Sequence, residues 1–365
     1  MKKILILFIS FLFFIFLLPN CGGGEKKQTA TISNVKTSQG ADPSITAEQG
    51  GNGFENISAS LGYQTYVIPK DEEIYFGDPN AVKGGTVKFT YSRFPVTLRT
   101  CGQNYNYLEA TQTNDLLFEN LLDLHPLTWE PAIPRLASHW KISDDNMQFW
   151  FRINPDARWS DGNRVTAKDV VATWDLRMDE TILFPSDQIT FGKFERPVEE
   201  SLYIVSVKCK KANWRNFRYF ASSMLILPAH IISELDGSEY LEKFQFSIPP
   251  NSGPYSLPDE NIYNQESWTL TRRENFWGRD LAQNKYMYNF DKIKWIVVKD
   301  NISLEFEKFK KGEADFYEVN ASRRWIEECD FEAIQKGWIK KHKVYSERPA
   351  GTSGYDFNMR KWPFN

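Results

Sequence analysis

Residues 116–178 carry the strongest structural signal of this 365-residue chain and read LLFENLLDLHPLTWEPAIPRLASHWKISDDNMQFWFRINPDARWSDGNRVTAKDVVATWDLRM. Apolar and polar residues alternate over 147–153, with Arg152 on the polar side, which predicts a strand with one buried face. Residues 161–162 are Asp-Gly and predict a turn. Residues 166–169, Thr-Ala-Lys-Asp, have the spacing of a capping box, so an amphipathic helix should begin there.

The sequence of this stretch resembles that of the family 5 extracellular solute-binding proteins, the oligopeptide-binding receptors of ABC importers. In that family a P-x-LA-x-x-W phrase leads through an aromatic strand to W/F-S/H-DG-x-x-V/L-T-A-x-DV. The residues that fit are Pro134, Leu136, Ala137, Trp140, Trp159, Ser160, Asp161, Gly162, Val165, Thr166, Ala167, Asp169 and Val170. Residues 251–255 resemble the GSGPY turn of the same family. Residues 75–87 and 273–293 extend the likeness toward the oligopeptide and microcin-C-type branch.

The resemblance implies an α/β fold of the periplasmic-binding-protein type II class, a two-lobed Venus flytrap with an extra domain. Its C-terminal part would be missing, because family members continue beyond Asn365. The expected divisions are a lipoprotein signal peptide (1–21), a flexible tether (22–60), the start of lobe I (61–110), the family-specific extra domain (111–200), the rest of lobe I (201–262) and an incomplete lobe II (263–365).

The first residues predict export. Lys2 and Lys3 precede an apolar run over 4–18, which is typical of a signal peptide and short for a membrane span of ~20 residues. Cys21 follows in a lipobox-like context, although Asn20 is unusual there, so we expect Cys21 to be lipidated. An uncleaved anchor is the alternative. The polar segment after Cys21 buries little apolar surface and is therefore predicted to be a tether.

Composition argues against several classes of protein. The formal net charge is −3 and no basic stripe is apparent, which speaks against nucleic-acid binding. The thiols Cys101, Cys209 and Cys329 lack metal-site spacing and are predicted to be buried, although one disulfide among them stays open. The four scattered histidines predict no metal site. Aromatic residues make up 15% of the chain, which predicts aromatic cores and allows a few rings to line a ligand cleft.

The resemblance implies a monomeric binding protein without cofactor or catalysis, which closes on a peptide and presents it to ABC permease subunits. In the family, peptides are held through their backbones, much as an added strand is. Candidate ligand-binding residues are Tyr91, Arg93, Phe94, Tyr355 and Asn358. Arg93 could receive a ligand carboxylate or simply be solvated, and Asn358 could instead satisfy nearby backbone.

Other readings remain open. A chain that ends at Asn365 should leave apolar elements without partners, which suggests a fragment, a split gene or a nonfunctional remnant. Asp175 and Asp179 lie four residues apart, so a secreted hydrolase is a distant alternative. A helix is also predicted over 114–122, and local patterns predict a helix over 303–311 with Leu304 and Phe309 on its apolar side. The resemblance to the family implies a strand over 313–317.

Overall fold

The computed structural model describes residues 38–73, 76–345, 354–355 and 357–363, so the predicted leader and Cys21 lie outside the described residues. The strands are β1 Thr86–Tyr91, β2 Leu122–Leu124, β3 Pro131–Pro134, β4 Ala137–Ile142, β5 Gln148–Ile153, β6 Val198–Glu199, β7 Ile204–Lys208, β8 Tyr255–Ser256, β9 Ile262–Tyr263, β10 Ser267–Arg272 and β11 Lys292–Val297. They form a sheet of order β1-β11-β10-β8 with β9 on β10, a β2-β3 pair, and a sheet of order β4-β5-β7-β6.

The α-helices are short and mostly single-turn or two-turn elements. They are Phe54–Ile57, Leu108–Leu117, Ala167–Met178, Pro185–Phe191, Asn216–Ser222, Ala229–Ile232, Gly237–Lys243, Ile302–Lys310 and Glu332–Gln335, with a π-helical turn at Arg324–Glu328. In the part of the chain that the structure describes, no helix has the length and apolarity needed to cross a bilayer.

The chain divides into two compact units. Unit 1 contains Met1–Gly85, Pro95–Ile262 and Thr269–Lys292, and unit 2 contains Thr86–Phe94, Tyr263–Trp268 and Ile293–Asn365. The lobe divisions expected from the sequence stay predictions.

The core of unit 1 is built on its four-stranded antiparallel sheet, in which β5 pairs with both β4 and β7. The predicted strand and its buried face are confirmed, since Phe149, Phe151 and Ile153 are at most 2% exposed. Phe151 stacks on Phe217 and Phe220 at centroid distances of 5.7 and 5.8 Å. Burying such rings supplies much of the apolar area that offsets the chain entropy lost on folding.

The predicted capping box is also confirmed, and it does more than begin a helix. The Thr166 backbone N–H donates to Asp169 Oδ2 at 2.6 Å at the start of helix Ala167–Met178. Asp169 Oδ1 accepts a second bond, from the backbone N–H of Ala229, also at 2.6 Å. Because Asp169 is 2% exposed, its oxygens must be satisfied internally. The same carboxylate therefore ties two helices of unit 1 together.

The predicted flexible tether is wrong for residues 38–60, which are an ordered part of unit 1. Phe54 is fully buried and meets Tyr63 and His139 edge-on at 5.1 and 5.3 Å. The backbone of this segment is folded so tightly that a Cβ on Gly51 would lie 2.1 Å from the carbonyl oxygen of Ile45. The composition predicts disorder because the segment contains few apolar residues. A few buried polar hydrogen bonds order it instead, and composition does not reveal them.

Arg152 is the group that this segment covers. Its side chain lies on the face of β5 opposite Phe151, is fully buried, and donates from Nη1 to Glu55 Oε1 at 3.0 Å, from Nε to Gly50 O at 2.9 Å and from Nη2 to Ser38 Oγ at 2.8 Å. Burial alone would raise the pKa of Glu55, but Arg152 and the Ser38 bonds outweigh it and hold that pKa below its usual value. A buried charge is tolerated only when it is paired and hydrogen-bonded.

Segments that are distant in the sequence meet at Glu119, which is 6% exposed. Trp277 Nε1 donates to Glu119 Oε2 at 2.9 Å, and the Glu119 backbone N–H donates to Ser252 Oγ at 3.1 Å. Beside them the Gly253 N–H donates to Leu117 O at 2.8 Å, and a Cβ on Gly253 would lie 2.8 Å from that same oxygen. We call Glu119, Ser252 and Trp277 the Glu119 junction.

A second pair of contacts reinforces this junction. Gln283 Nε2 donates to Pro134 O at 2.5 Å, and Arg135 Nη1 donates to Asn284 Oδ1 at 2.6 Å. Parts of three family-like phrases, near residues 134, 252 and 277–284, are thus joined by hydrogen bonds inside unit 1. Their chemistry here is structural, since each donor is matched to a buried or half-buried acceptor.

Two local predictions are wrong. The helix expected over 114–122 is instead Leu108–Leu117, and Leu122 begins β2. Phe118 already has extended backbone angles (φ −126°, ψ 160°). Leu117, Phe118, Leu121 and Leu122 are all at most 2% exposed, and a continuous buried run has no periodicity to separate helix from strand. No strand forms over 313–317, where Asp315 instead exchanges bonds with the backbone of Lys88 at 2.8 and 2.9 Å.

Unit 2 has its own small core. The predicted helix is present as Ile302–Lys310, and Gly312 follows it with φ 77°, as expected for a residue just past a helix end. Phe306 and Phe309 are its buried residues, whereas Leu304 is 46% exposed, so the predicted apolar side is only half right. Ala314 and Cys329 complete the cluster. Cys101 and Cys209 are likewise buried, and all three thiols are unbridged.

Replacing Glu55 by Gln should destabilise the protein by about 3 kcal/mol, because it leaves the buried Arg152 charge without its counter-ion. Urea denaturation followed by circular dichroism measures this loss. Glu48→Gln is the matched control, since Glu48 lies in the same segment but is exposed, and it should shift the free energy of unfolding by less than about 0.5 kcal/mol. Equal stability of the two variants would contradict the assigned role.

Glu119 should make stability depend on pH. Burial raises its pKa to about 7, against the lowering effect of Arg135 and the Trp277 bond, from an ordinary value of 4.5. Between these values the folded state binds more protons than the unfolded state, so the free energy of unfolding falls as pH rises, by on the order of 3 kcal/mol. Glu119→Gln should remove this slope.

Urea denaturation at pH 5 and pH 8 tests the Glu119 prediction. The comparison is between the natural chain, Glu119→Gln, and the exposed-site control Glu234→Gln, which should keep the natural slope. A Glu119→Gln protein that lost as much stability as the natural chain between the two pH values would place the titration elsewhere.

Candidate ligand-binding site

The predicted ligand loop follows β1 in unit 2 and is held by backbone bonds. Tyr91 O accepts from the Val298 N–H at 2.8 Å, and Ser92 O accepts from the Asp300 N–H at 3.1 Å. Arg93 is exposed at the turn that follows, and Phe94 is 5% exposed. Strand pairing therefore fixes the start of the loop.

Tyr91 and Phe94 belong to a cluster of rings that we call the aromatic stack, formed by Phe89, Tyr91, Phe94, Trp268 and Trp295. Trp268 stacks on Trp295 at 5.4 Å and 12°, and Tyr91 stacks on Trp268 at 5.9 Å and 19°. Phe94 meets Trp268 edge-on at 5.7 Å, and Phe89 stacks on Trp295 at 6.0 Å. Offset-stacked and edge-on rings at these distances attract one another beyond simple burial.

The rings of the aromatic stack differ in how much of their surface is exposed. Trp268 is fully buried, and Trp295 and Phe94 are 4% and 5% exposed, so these rings offer little area to a ligand. Tyr91 is half-buried and Arg93 is exposed. Of the loop residues proposed from the sequence, Tyr91 and Arg93 therefore remain the ligand-contact candidates, and Phe94 becomes a supporting residue.

The other two sequence candidates lie near the end of the described chain. Tyr355 is 95% exposed. Asn358 is also exposed; its Oδ1 accepts from the Arg360 N–H at 3.1 Å, and its carbonyl oxygen accepts from the Lys361 N–H at 3.0 Å. These bonds serve a local turn, which is the alternative that the sequence left open for Asn358. Their roles in ligand binding stay predictions.

Sequence reasoning missed Trp268 and underrated Trp295 as a part of this site. Trp295 lies on the buried face of β11, as alternation within that strand predicts. Nothing local relates it to Tyr91, because the two rings are linked through Trp268 on a third segment. An alternating pattern within Ser267–Arg272 was the available signal, since it places Trp268 and Leu270 on one face.

Unit 1 contains a separate polar cavity of about 170 Å³. Asn114 Nδ2 donates to the carbonyl oxygens of Leu98 and Arg99, which leaves Asn114 Oδ1 buried without a partner among the described residues. Arg177 and Ser222 line the same cavity. Arg177 Nε and Ser222 Oγ are also buried without a hydrogen-bond partner among the described residues. A polar space of this size holds about five water molecules. The cavity can therefore satisfy these groups with solvent.

Groups that could suggest catalysis or metal binding have other partners. Arg196 donates to both oxygens of Asp175 at 2.7 Å, and Asp179 accepts from the N–H and hydroxyl of Thr181 at 2.7 and 2.6 Å. The pair proposed for a hydrolase is thus engaged in salt-bridge and turn contacts. His230 lies 2.7 Å from Asp161. No cluster of three or more metal-ligating side chains occurs among the described residues.

Comparison with known proteins gives this architecture its context. The sequence profile of the bacterial extracellular solute-binding proteins, family 5 middle region, matches residues 132–365. A putative binding protein of Brucella melitensis is 32% identical over 226 residues, which cover 60% of this chain and 35% of that protein. A probable peptide-binding protein, YejA of Agrobacterium fabrum, is 27% identical over 72% of this chain and 42% of its own length.

The fold is also that of a solved receptor. The oligopeptide-binding protein AppA of Bacillus subtilis, in complex with a nonapeptide, superposes with a TM-score of 0.58 at 19% identity, covering 67% of this chain and 46% of AppA. The chain thus spans half or less of the length of these proteins. The predicted periplasmic-binding-protein type II fold is confirmed over the matched part. On the family profile and the fold together, the chain belongs to the bacterial extracellular solute-binding proteins of family 5.

Proposed function

We propose that this chain is the substrate-binding lipoprotein of an ABC importer that takes up oligopeptides or peptide-like compounds. The observation that carries the proposal is the family match over residues 132–365. The name of the Agrobacterium fabrum relative and the nonapeptide bound to the Bacillus subtilis protein favour peptides as the ligand class. The chain would act by binding, with no chemical step.

The exposed Arg93 and the half-buried Tyr91 supply a mode of recognition. A peptide would lie against the chain through its backbone, as an added strand does, while its side chains stay in hydrated space. A planar guanidinium can hold a terminal carboxylate by two parallel hydrogen bonds. The buried Trp268 and Trp295 would keep the Tyr91 ring in place beside it. This arrangement fixes one end of a peptide with little demand on its sequence.

Membrane attachment completes the proposal. The leader and Cys21 would give a lipid-anchored protein on the extracytoplasmic side, which presents its loaded form to permease subunits as a monomer. A nonfunctional or split-gene fragment of such a receptor is the alternative, and it would bind no peptide.

Arg93→Gln should reduce the preference for peptides with a free terminal carboxylate. The natural chain should bind a short peptide acid about tenfold more tightly than its C-terminal amide, a difference of about 1.4 kcal/mol for the charge-assisted pair. In Arg93→Gln the two affinities should become nearly equal. Isothermal titration calorimetry with matched acid and amide peptides measures both constants.

Arg279→Gln is the matched control, because Arg279 is another exposed arginine but lies in unit 1. It should keep the tenfold preference.

Mass spectrometry of the peptide after incubation checks for turnover. Release of shorter peptides would identify a hydrolase, absence of saturable binding to any peptide pool would favour the nonfunctional fragment, and an unchanged preference in Arg93→Gln would remove Arg93 from the site.

A further inference from the structure

Unit 1 has a tryptophan side chain exposed on its surface, where polar residues would be expected. Trp214 is 80% exposed and lies between the end of β7 at Lys208 and helix Asn216–Ser222. Large exposed apolar side chains that cluster with polar neighbours mark interaction surfaces more often than single scattered ones do.

The loop that carries Trp214 is held by its own hydrogen bonds. Asn216 is 1% exposed and donates from Nδ2 to Lys211 O at 2.8 Å. The Asn216 N–H donates to Asn213 O at 3.0 Å, and the Arg215 N–H donates to Asn213 Oδ1 at 2.9 Å. A buried amide that ties both ends of this six-residue segment fixes its shape. The ring is therefore displayed by an ordered loop.

An open apolar depression of about 610 Å³ lies beside the ring. Ile142, Phe149 and Phe217 line it together with Trp214 itself. Phe149 is 2% exposed and meets Phe217 at 5.3 Å, so the floor of the depression is continuous with the core of unit 1. An inserted ring or acyl chain segment would meet a firm apolar wall.

Four exposed cationic residues lie within six positions of Trp214 in the sequence. Lys208, Lys210, Lys211 and Arg215 are all exposed, and the Arg215 guanidinium lies 4.7 Å from the Trp214 ring. This positive group stands on a chain whose formal net charge is −3. We call Lys208, Lys210, Lys211, Trp214 and Arg215 the Trp214 face.

Acidic residues nearby offset part of this charge. Asp145 lines the depression, but its carboxylate accepts from Ser143 Oγ at 2.6 Å and from the Met147 N–H at 3.0 Å, which commits it to its own turn. Asp144 in the same turn and Glu195, whose N–H donates to Lys208 O at 2.9 Å, are the other carboxylates close to the face. Since a hydrogen-bonded carboxylate keeps its negative charge, the four exposed cations of the Trp214 face exceed these three neighbouring carboxylates by one charge.

We propose that the Trp214 face docks on the surface of an anionic phospholipid bilayer. Tryptophan prefers the boundary between headgroups and acyl chains, and lysine and arginine attract anionic headgroups while their stems cover apolar surface. The ring projects outward from an open depression, which suits a deformable headgroup layer better than a single sugar or peptide fitted into an enclosed pocket. The inference rests on the proposed membrane-surface location and is independent of the ligand.

Docking would give the receptor a preferred orientation at the membrane. A lipid chain alone leaves a protein free to rotate about its attachment point, whereas a second contact removes part of that freedom. Unit 1 would face the bilayer through the Trp214 face. Such an orientation would shorten the search for a permease partner in the same membrane.

Vesicle co-sedimentation tests the proposal with the mature polypeptide, residues 22–365, made without its lipid. The natural chain should bind phosphatidylcholine vesicles containing phosphatidylglycerol and bind pure phosphatidylcholine vesicles much more weakly, and salt should weaken the binding. Lys210→Glu with Lys211→Glu should weaken binding to the anionic vesicles by about tenfold or more. High salt screens the charged contacts but leaves the apolar contact of Trp214 with the bilayer. Trp214→Ala should therefore weaken vesicle binding several-fold even at high salt.

A matched control lies in unit 2, where Trp338 is 72% exposed and Lys336 lies 4.8 Å from its ring. Lys336→Glu with Lys340→Glu makes the same charge change, and Trp338→Ala removes the same ring. Both controls should leave vesicle binding within about twofold of the natural chain. Circular dichroism and peptide titration check that every variant is folded and binds ligand as before.

Several results would overturn the proposal. Equal binding to neutral and anionic vesicles, or an equal loss in the unit 2 controls, would show that adhesion is nonspecific. Binding to insoluble peptidoglycan that the Trp214-face variants abolish, without vesicle binding, would assign the face to a cell-wall polymer instead. Because peptide titration is measured on the same proteins, failure of the docking surface and failure of the receptor function are separate outcomes.

Discussion

A guanidinium without access to water lies inside unit 1, and the arrangement of the chain around it follows from its need for partners. Arg152 obtains most of them from Glu55, Ser38 and the carbonyl oxygen of Gly50, which lie 97 to 114 residues earlier in the sequence. The hydroxyl of Ser138 on β4 accepts a further bond. Removing any of these groups leaves a buried charge, which costs more than the loss of one ordinary bond. The N-terminal segment is therefore a structural part of the sheet, although its composition is that of a linker.

Local patterns predicted much of unit 1. The β5 alternation, the Asp-Gly turn and the Thr166–Asp169 capping box are set by neighbours within four residues, so the sequence contains them directly. The errors occurred where distant partners decide the structure. The run around Phe118 is buried on all sides and gives no period, and residues 38–60 are ordered by a charge on another strand. Neither cause can be read from the segment itself.

The candidate ligand site shows the same division. Resemblance located the loop with Tyr91 and Arg93, but it could not distinguish contact residues from supporting ones. The exposure of each residue makes that distinction, because Phe94 and Trp268 are buried while Tyr91 is half-buried. Likewise, the family-like phrases around Pro134, Ser252 and Trp277 could have been read as functional. Their bonds at the Glu119 junction identify them as parts of a scaffold.

The packing of residues 38–60 also sets a length. With Cys21 as the anchored residue, the chain between the lipid and the first described residue is 22–37, whereas the expected tether was 22–60. Sixteen residues span at most about 55 Å when fully extended, whatever conformation they adopt. Under the proposed anchoring at Cys21, the first described residue would lie within about 55 Å of the bilayer surface.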